Sequence, residues 1–542
     1  MHLLKISKAA LFMIVLVTVA GQTARAEGDP HKVQHVVVIM QENHSFDNYF
    51  GALPYTPGSP YHTPRSDDWD EGNRGCPEGD HKCVDGLTCH TDKSGEFTCV
   101  NHNRDDGARI VFAFHDPRRC VAPDLDHGWA STHREVNFNG PNDTLFQGPM
   151  DGFVRINDQT EQIDQGVEHA TDDQTMAFYN QNEIPFYYDL AQKFALNDRY
   201  FASVLGPTFP NRSYLIAATS FGHLTTSDSF PPSASSGYKP INGTIFDLME
   251  SQQVTWADYF QDVPQGGSFR LFSATEVDPH FLPLPLLLAQ AAGVPNVPPL
   301  PQVAFVDPNF GIFARSVEND EHPPTDIQRG QAFVSQVLNA VRNGPYWKDT
   351  VILLAYDEHG GFYDHVQPPR ARQNHAPNPD GINPGQCEDL SNPPMSLQPG
   401  QGAECSSNLL SKTDTSVADA ADLCPEFAKN PTGPFPVGCA NFDQYGVRVP
   451  FMAISPFSKP SYVSHTVGDH TSILALIETV FMTPANASAN SDGDDDNVPR
   501  PHLTKRDQHA GALLDMFDFT NAPSLNTTIG VALPPTSDCT PQ

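Results

Sequence analysis

The amino-acid sequence predicts an α/β fold, a three-layer α/β/α sandwich built around a mainly parallel sheet. Three apolar runs have the length of strands, at residues 33–40, 350–356 and 447–454. Helical patterns lie between and after them, and strands that alternate with helices are typical of a parallel sheet covered on both faces. The chain has 542 residues, 39% of them hydrophobic, which is enough to build the core of such a sandwich.

Two of the apolar runs are continuous, as strands buried on both faces are. They read VQHVVVIM at residues 33–40 and TVILLAY at residues 350–356, and such residues favour buried parallel strands. The third run, VRVPFMAI at residues 447–454, is the weaker prediction because Pro450 has no amide hydrogen for a neighbouring strand.

Helical patterns occur at residues 325–343 and 470–482, and a shorter one follows the tight turn at Gly206 and Pro207. The first pattern is amphipathic, because its apolar residues share one helical face: Ile327, Val334, Val337, Leu338 and Val341. These patterns supply helices for the outer layers of the sandwich.

The N-terminus has the features of a secretory signal peptide. Two lysines precede an apolar stretch at residues 9–20, and Ala24 and Ala26 are the small residues that a signal peptidase reads. We expect residues 1–26 to be removed and the protein to be secreted or periplasmic. A retained membrane anchor is the alternative, although the apolar stretch is shorter than the ~20 residues that span a bilayer.

Two long stretches, at about residues 52–110 and 370–446, are rich in Gly, Pro, Asn and Asp. These residue types favour turns and loops. We interpret both stretches as surface insertions in a single domain that spans residues 27–542.

The ten cysteines predict up to five disulfides, because an even number in an exported protein is typical of disulfide bonding. Four lie within residues 76–99 and four within residues 387–439, so that each insertion would be stapled. A zinc site that uses His81 or His90 is the alternative, but the chain has no C-x2-C pair.

The net charge of −33 makes a nucleic-acid partner unexpected, because an anionic surface repels phosphate backbones. We expect at most transient contact with a membrane surface and no obligate protein partner. The apolar segment FLPLPLLL at residues 281–288 is interpreted as a helix start packed on the core. A lid that faces lipid or substrate is the alternative.

Oxygen-bearing side chains follow the two interior strands directly. Glu42 and Asn43 come after the first strand, and Asp357 and Glu358 come after the second. The carboxyl ends of strands in α/β sheets collect reactive groups, and three carboxylates in one place repel each other unless a cation joins them. Hard oxygen ligands predict a divalent ion such as calcium, magnesium or manganese. Helix capping would explain one such residue at each site, but not adjacent carboxylates.

A hydroxyl follows the turn at Gly206 and Pro207, in the segment GPTFPNRSYL. Thr208 would lie at the start of a helix, where free amide groups favour anions. Taken alone, this segment favours Thr208 as a helix N-cap, because a threonine is a poor nucleophile unless a metal or a base activates it.

Three motifs occur in order along the chain: QENHSFDNYFG, GPTFPNRSYL and DEHGGFYDHVQPP. Together they resemble the bacterial phosphoesterase family, which includes phosphatidylcholine-type phospholipases C and related acid phosphatases of the alkaline phosphatase-like superfamily. The resemblance runs from about residue 35 to residue 477. It implies an alkaline phosphatase-like version of the predicted sandwich, and three long motifs in order are a specific signal.

The resemblance also implies the site. Glu42, Asn43, Asp357 and Glu358 would hold one divalent metal ion, of which calcium, magnesium, manganese and zinc are the candidates. Thr208 would be both a metal ligand and the nucleophile, passing through a phospho-threonine intermediate.

Three histidines lie in segments that match the family: His127 in APDLDHGW, His322 in DEHPP and His365 in FYDHV. The resemblance implies that His127 contacts the phosphoryl group and that His322 or His365 protonates the leaving oxygen. His470, before the last helical pattern, is interpreted as a helix cap.

The predicted function is that of a secreted, metal-dependent phosphoesterase of the phospholipase C type, with a phosphoester and in particular a phospholipid as substrate. Acid phosphatase activity on monoesters is the first alternative. About 60 residues follow the last helical pattern, too few for the C-terminal β domains of well-known phospholipase C members. A catalytically silent secreted binding protein of the same fold is the second alternative.

Overall fold

The computed structural model describes residues 27–535 apart from several internal segments. These are residues 65–74, 92–96, 106–108, 121–123, 138–148, 158–171, 222–225, 227–237, 239, 241, 271, 274–275, 372–441, 443 and 485–499. The predicted signal peptide at residues 1–26 therefore lies outside the described residues, and so does most of the second predicted insertion.

An eight-stranded sheet forms the centre of the structure. In chain order its strands are β1 (His35–Gln41), β2 (Ala195–Asn197), β3 (Trp256–Phe260), β4 (Phe281–Pro283), β5 (Val303–Val306), β6 (Thr350–Tyr356), β7 (Phe451–Ile454) and β8 (Tyr462–Ser464). Across the sheet the order is β4-β3-β5-β1-β6-β7-β2-β8. Five neighbouring pairs are parallel, and only the two pairings of β7 are antiparallel. The predicted mainly parallel sheet is confirmed.

The two continuous apolar runs form the middle of this sheet. β1 pairs with β5 on one side and with β6 on the other. All seven residues of β6 are buried, and successive residues of a strand point to opposite faces. Both faces of the sheet are therefore covered here, as the predicted three-layer sandwich requires. β7 begins at Phe451, directly after Pro450. It is shorter than its apolar run because Pro450 has no amide hydrogen for a neighbouring strand.

The helices connect and cover the strands. Those whose bounds lie fully within the described residues are α1 (Phe46–Phe50), α2 (Trp129–Val136), α3 (Pro185–Lys193), α4 (Thr208–Ala217), α5 (Ile245–Ser251), α6 (Leu284–Ala291), α7 (Ile327–Arg342), α8 (His470–Phe481) and α9 (Lys505–His509). The predicted helices at residues 325–343 and 470–482 are confirmed as α7 and α8. Asp326 caps α7 by accepting a hydrogen bond from the amide of Gln328, which explains why the helix begins where it does.

The first predicted insertion contains two short hairpins, Cys89–Thr91 with Phe97–Cys99 and His102–Arg104 with Ile110–Phe112. Disulfides join Cys76 to Cys83 and Cys89 to Cys99. Cysteines held in disulfides cannot be zinc ligands, so the zinc alternative at these four residues is wrong.

Cys120 is also disulfide-bonded. The other five cysteines, at 387, 405, 424, 439 and 539, lie outside the described residues. Disulfides at this density are consistent with an extracellular or periplasmic protein.

The apolar segment at residues 281–288 forms the edge strand β4 and the first turns of α6. Leu284 and Leu287 are buried, so the predicted helix start packed on the core is confirmed. Within the part of the chain that is described, no helix combines the length and the apolarity that a bilayer crossing requires.

Candidate active site

The ends of β1 and β6 bring two predicted ligand pairs together. Because the strands are adjacent and parallel, with Gln41 opposite Tyr356, the residues that follow them lie at the same edge of the sheet. The amide of Asn43 donates to Oδ1 of Asp357 at 3.3 Å, and the amide of His44 donates to the carbonyl oxygen of Glu358 at 3.1 Å. These contacts place both pairs in one buried site.

The backbone at this edge is tightly packed and strained. Asn43 has a φ of 62°, in the left-handed region, and Gly360 has a φ of 61°. A Cβ atom at Gly360 would lie 2.3 Å from the carbonyl oxygen of Asn43. Only glycine permits this approach of the two loops, and strain of this kind is typical of functional sites.

Arg212 joins the two strand ends through its guanidinium group. Its Nη2 lies 3.0 Å from Oε1 of Glu42, and its Nε lies 3.0 Å from Oδ2 of Asp357. Burial raises the pKa of Asp357 to about 8, a shift that Arg212 opposes and that Glu42 and Glu358 reinforce. Part of the positive charge that the three carboxylates demand therefore comes from the chain itself.

Arg212 is not among the predicted site residues, although it lies inside the motif GPTFPNRSYL. The signal in the sequence was an arginine four residues after the predicted nucleophile, because residues four apart on a helix share one face.

Thr208 is the first residue of α4, and Arg212 follows one turn later. The face of α4 that places Arg212 between Glu42 and Asp357 is thus also the face of Thr208. Pro207 occupies the N-cap position, and no side chain caps this end of the helix. The interpretation of Thr208 as an N-cap is therefore wrong, and its hydroxyl is not used to end the helix.

Asn211 fixes the turn that precedes Thr208. Its Oδ1 accepts from the amide of Val204 at 3.0 Å, and its Nδ2 donates to the carbonyl oxygen of Gly206 at 2.7 Å. Asn211 is fully buried. These hydrogen bonds hold the turn at Gly206 and Pro207 in one conformation and so set the position of the helix start.

Two of the predicted ligand side chains have buried polar atoms without a hydrogen-bond partner among the described residues. They are Asn43, through both Oδ1 and Nδ2, and Glu358, through Oε1. A buried carboxylate or amide oxygen without a partner is costly, and such atoms in a native fold mark a missing ion or water. Four oxygen-bearing side chains with two unsatisfied oxygens fit a hard divalent cation.

His127 and His322 lie together beside this cluster, with their ring centroids 6.3 Å apart. Nε2 of His127 lies 3.7 Å from Oε1 of Glu358. Asp124 joins the two rings, with one carboxylate oxygen 3.8 Å from Nδ1 of His127 and the other 3.7 Å from Nε2 of His322. The ligand atoms of Asp124, His127 and His322 also lie close enough together to hold a metal ion.

The orientation of both rings is fixed by backbone oxygens. Nδ1 of His127 donates to the carbonyl oxygen of Leu125 at 2.7 Å, and Nδ1 of His322 donates to that of Pro323 at 2.6 Å. Burial lowers the pKa of His127, but Glu358 and Asp124 outweigh it and raise the pKa to about 10. The carboxylates beside His127 thus favour the protonated form of its ring.

The structure places His365 in a different set of contacts. Its Nδ1 lies 2.6 Å from Oδ2 of Asp47, and its Nε2 lies 3.2 Å from Oδ1 of Asp85. Arg448 completes this buried network through Asp47 and Asp364. Both ring nitrogens of His365 are occupied by carboxylates, so these contacts favour a structural role. Its role as an acid stays a prediction.

His470 supports the strand end rather than capping a helix. Its Nε2 donates to the carbonyl oxygen of Asp357 at 2.7 Å, and burial lowers its pKa to about 4, which keeps the ring neutral. Asp469 is the residue that caps α8. The interpretation of His470 as a helix cap is therefore wrong.

Glu321 is a second residue that the sequence analysis missed. It is fully buried, and its carboxylate accepts hydrogen bonds from three phenols: Tyr49 at 2.6 Å, Tyr187 at 2.5 Å and Tyr356 at 2.6 Å. Its neighbours on either side, Asp320 and His322, face the site: Asp320 accepts the amide of Glu42 at its backbone oxygen. The phenols anchor the loop that carries His322. No signal in the sequence points to this role, since the three tyrosines are far apart along the chain.

His359 is the third missed residue, although it lies in the DEHGG motif. Its Nε2 lies 2.8 Å from Oε2 of Glu135, and its Nδ1 lies 3.4 Å from Oε2 of Glu358. Burial opposes protonation, but the two carboxylates raise its pKa to about 9. His359 therefore orients the Glu358 carboxylate through Oε2, and the other oxygen, Oε1, lies on the side of His127.

Comparison with known proteins connects this geometry to a family. Residues 33–484 match the family model described as the Phosphoesterase family. The chain is 27% identical over 527 residues to non-specific phospholipase C1 of Arabidopsis thaliana, covering 95% of this chain and 77% of that protein. It is 26% identical over 546 residues to phospholipase C B of Mycobacterium tuberculosis, covering 94% of this chain and 83% of that protein.

The matched region contains all the residues described above, from the strand end at Glu42 to the helix start at His470. The family relationship predicted from the three motifs is thereby confirmed. The chain belongs to the phosphoesterase family, and it is a hydrolase that acts on phosphoric ester bonds.

Proposed function

We propose that this protein is a secreted, metal-dependent phosphoesterase with phospholipase C-like activity, which cleaves phosphodiesters through a covalent adduct on Thr208. The observation that carries the proposal is the convergence of α4 with the ends of β1 and β6. There Arg212, one helical turn after Thr208, contacts Glu42 and Asp357. The relatives named phospholipase C cover most of this chain, which supports a phospholipid as the substrate.

Glu42, Asn43, Asp357 and Glu358 would hold the metal ion, together with the hydroxyl of Thr208. When bound there, a divalent ion supplies positive charge that lowers the pKa of a hydroxyl and offsets the charge of phosphoryl oxygens. The unsatisfied oxygens of Asn43 and Glu358 support this donor set.

Thr208 acts as the nucleophile. Its Oγ1 forms a bond to phosphorus while the bond from phosphorus to the oxygen of the leaving alcohol breaks, and the hydroxyl proton is lost to solvent. Water then attacks the same phosphorus, the bond to Oγ1 breaks, and Thr208 takes up a proton again. The free amides in the first turn of α4 favour the negative phosphoryl group beside Thr208.

The two neighbouring histidines divide the remaining work. His127 is oriented by its hydrogen bond to the carbonyl oxygen of Leu125, and its Nε2 lies 3.7 Å from Glu358; it donates to the phosphoryl oxygens as negative charge grows on them. His322 protonates the leaving oxygen: its Nδ1 donates to the carbonyl oxygen of Pro323, and its Nε2 lies 3.7 Å from the half-exposed Asp124. His365 is the alternative for this step that follows from the motif alone.

Secretion is part of the proposal and rests on the predicted signal peptide together with the disulfides. N-terminal sequencing of the protein recovered from the culture medium or the periplasm should begin at Glu27. A chain that still begins at Met1 and stays with the cells would contradict export.

The function is tested by following three substrates with the same enzyme preparation: phosphatidylcholine, a chromogenic phosphocholine diester and a chromogenic phosphate monoester. We expect turnover of both diesters, loss of turnover with chelator, and recovery when a divalent metal is restored. Turnover of the monoester alone would establish the acid phosphatase alternative. No turnover of any phosphoester with metal supplied would establish the silent binding protein.

A further inference from the structure

An exposed apolar loop follows β5, at residues 309–317. Three large apolar side chains on this loop face water: Ile312 is 63% exposed, Phe313 is 77% exposed and Val317 is 55% exposed. Single exposed apolar residues are ordinary on protein surfaces, but a contiguous group of them marks an interaction surface.

The backbone of this loop is held in place. Asp262 accepts hydrogen bonds from the amides of Phe310 at 3.2 Å and Ile312 at 3.1 Å. Asn309 donates its amide to Oδ1 of Asn319 at 2.6 Å. A loop anchored in this way presents Ile312 and Phe313 outward instead of letting them fold back on the core.

A groove of about 910 Å³ adjoins the loop. Its wall is formed mainly by apolar side chains: Phe260, Pro283, Leu284, Val317 and Phe333. Val317 belongs both to the loop and to the groove, so the two form one continuous apolar surface. The segment at residues 281–288, which packs on the core through Leu287, contributes Pro283 and Leu284 to this surface.

Two contacts connect this surface to the active site. The guanidinium of Arg212 lies over the ring of Phe310, 5.0 Å from its centroid. At the other end, the carbonyl oxygen of Asn319, which lines the groove, accepts from Nε2 of Gln41 at 3.1 Å. The apolar loop therefore lies directly beside Arg212, one helical turn from Thr208.

We propose that the loop at residues 309–317 and the adjoining groove form the lipid-facing surface of the enzyme, which receives the acyl part of a zwitterionic phospholipid at a bilayer surface. This inference rests on the proposed phospholipase C-like function. Because the loop lies beside the active site, the substrate is the molecule expected to bind this surface. The acyl part of a phospholipid must lie near its phosphoryl group during cleavage.

Charge selects the type of lipid. The chain has a net charge of −33, which opposes approach to an anionic bilayer. Arg315 is the single ionisable residue of the loop, so the loop itself has no anionic group to repel lipid phosphates. Zwitterionic phosphatidylcholine fits both observations, because its bilayer has no net charge to repel the anionic protein and its phosphates meet no anionic group on the loop.

The test measures binding to phosphatidylcholine vesicles by co-sedimentation, with Thr208→Ala as the parent so that no substrate is consumed. We expect the double variant Ile312→Ser and Phe313→Ser to reduce the bound fraction about tenfold or more, because each serine removes the burial of a large apolar side chain. The matched control is Ile110→Ser with Phe112→Ser, on a hairpin whose side chains are 41% and 50% exposed. It should bind as the parent does.

Equal binding by the loop variant and its parent would overturn the proposal. The proposal would also be overturned if the parent bound no vesicles and formed a dimer that the loop substitutions convert to a monomer. The surface would then bind a second copy of the chain. Phe313→Trp gives an independent readout: its added fluorescence should shift to the blue on vesicles, and no shift would contradict the proposal. Failure of the proposed function is distinguishable, because it appears as absent diester turnover by the wild-type enzyme while vesicle binding is still measured.

Discussion

The Nε atom of Arg212 lies 3.0 Å from Oδ2 of Asp357, and Nη2 of the same side chain lies 3.0 Å from Oε1 of Glu42. One guanidinium thus ties α4 to the ends of two central strands. Thr208 lies one turn before Arg212 on the same face of α4, so this contact also sets the position of the helical turn that contains the proposed nucleophile.

Replacing Arg212 by lysine should reduce kcat/KM by about a hundredfold or more. Lysine keeps the charge but cannot reach Glu42 and Asp357 with two separate N–H groups, so α4 loses its fixed position over the strand ends. Steady-state kinetics on the chromogenic diester measures the effect. Arg270→Lys is the control, since Arg270 also bridges carboxylates but is part of a network around α5. Equal kinetics for the two variants would contradict the positioning role of Arg212.

Removing the charge of Glu358 should weaken metal binding without unfolding the protein. Its Oε1 is buried and unsatisfied among the described residues, whereas Oε2 accepts from the amide of Gly360 at 2.7 Å. Glutamine keeps the shape but replaces a carboxylate ligand by a weaker amide. We expect Glu358→Gln to retain less than one tenth of the bound metal after dialysis, at about tenfold lower affinity or worse. Elemental analysis after dialysis measures this, with Glu250→Gln on the surface of α5 as the control. Metal content equal to that of the control would show that Glu358 is not a ligand.

The phenol cage around Glu321 should contribute to stability and to the position of His322. Burial raises the pKa of Glu321 to about 7, and the three tyrosines oppose that shift by donating to the carboxylate. Tyr187→Phe removes one donor and should lower the free energy of unfolding by about 1–2 kcal/mol. Tyr188→Phe is the control: Tyr188 is also buried, but its hydroxyl makes a longer hydrogen bond of 3.3 Å.

Glu321→Ala should have a larger effect, because it leaves three buried phenols without their acceptor. We expect a fall in kcat with an almost unchanged KM, since the loop that carries His322 would lose its anchor while the phosphoryl contacts remain. A variant that is destabilised but keeps its full kcat would limit Glu321 to a role in stability.

The network of His365 predicts a stability effect that depends on pH. Burial lowers the pKa of this histidine, but Asp47 and Asp85 outweigh it and raise the pKa to about 10, above the ordinary value of 6.5. The folded protein therefore binds the proton more tightly than the unfolded chain. The stabilisation is complete below pH 6.5 and is lost as the pH rises towards 10.

His365→Gln should accordingly lower the free energy of unfolding by about 3 kcal/mol near pH 6 and by much less near pH 9.5. Denaturant unfolding at the two pH values measures the difference, and His102→Gln on an exposed hairpin serves as the control. A loss that is the same at both pH values would exclude the charged pair. Full activity of His365→Gln near pH 6 would also remove His365 as the acid.

The sheet and the long helices could be predicted from the sequence because their signals are local. The apolar run at residues 350–356 contains its own strand pattern, and α7 contains its own helical period. The convergence of the strand ends also followed from local order, since polar residues directly follow two interior strands.

The supporting residues could not be predicted in the same way. Arg212 acquires its role only when α4 packs over strands that are far away in sequence, and Glu321 acquires its role from tyrosines on three separate segments. His365 shows the opposite case: its motif matches the family, but the fold surrounds its ring with carboxylates. Tertiary contacts decide such roles, and a motif names only the candidates.

The most direct test of the proposed mechanism is to trap the covalent adduct. The wild-type enzyme is mixed with excess chromogenic diester, quenched within the first turnover and digested for peptide mass spectrometry. We expect a phosphocholine adduct on the peptide that contains Thr208, because only the chromogenic alcohol leaves in the first step, and we expect Thr208→Ala to show neither adduct nor turnover. Normal turnover by Thr208→Ala would contradict the assignment of Thr208 as the nucleophile. So would an adduct on another residue that forms and decays at least as fast as the enzyme turns over.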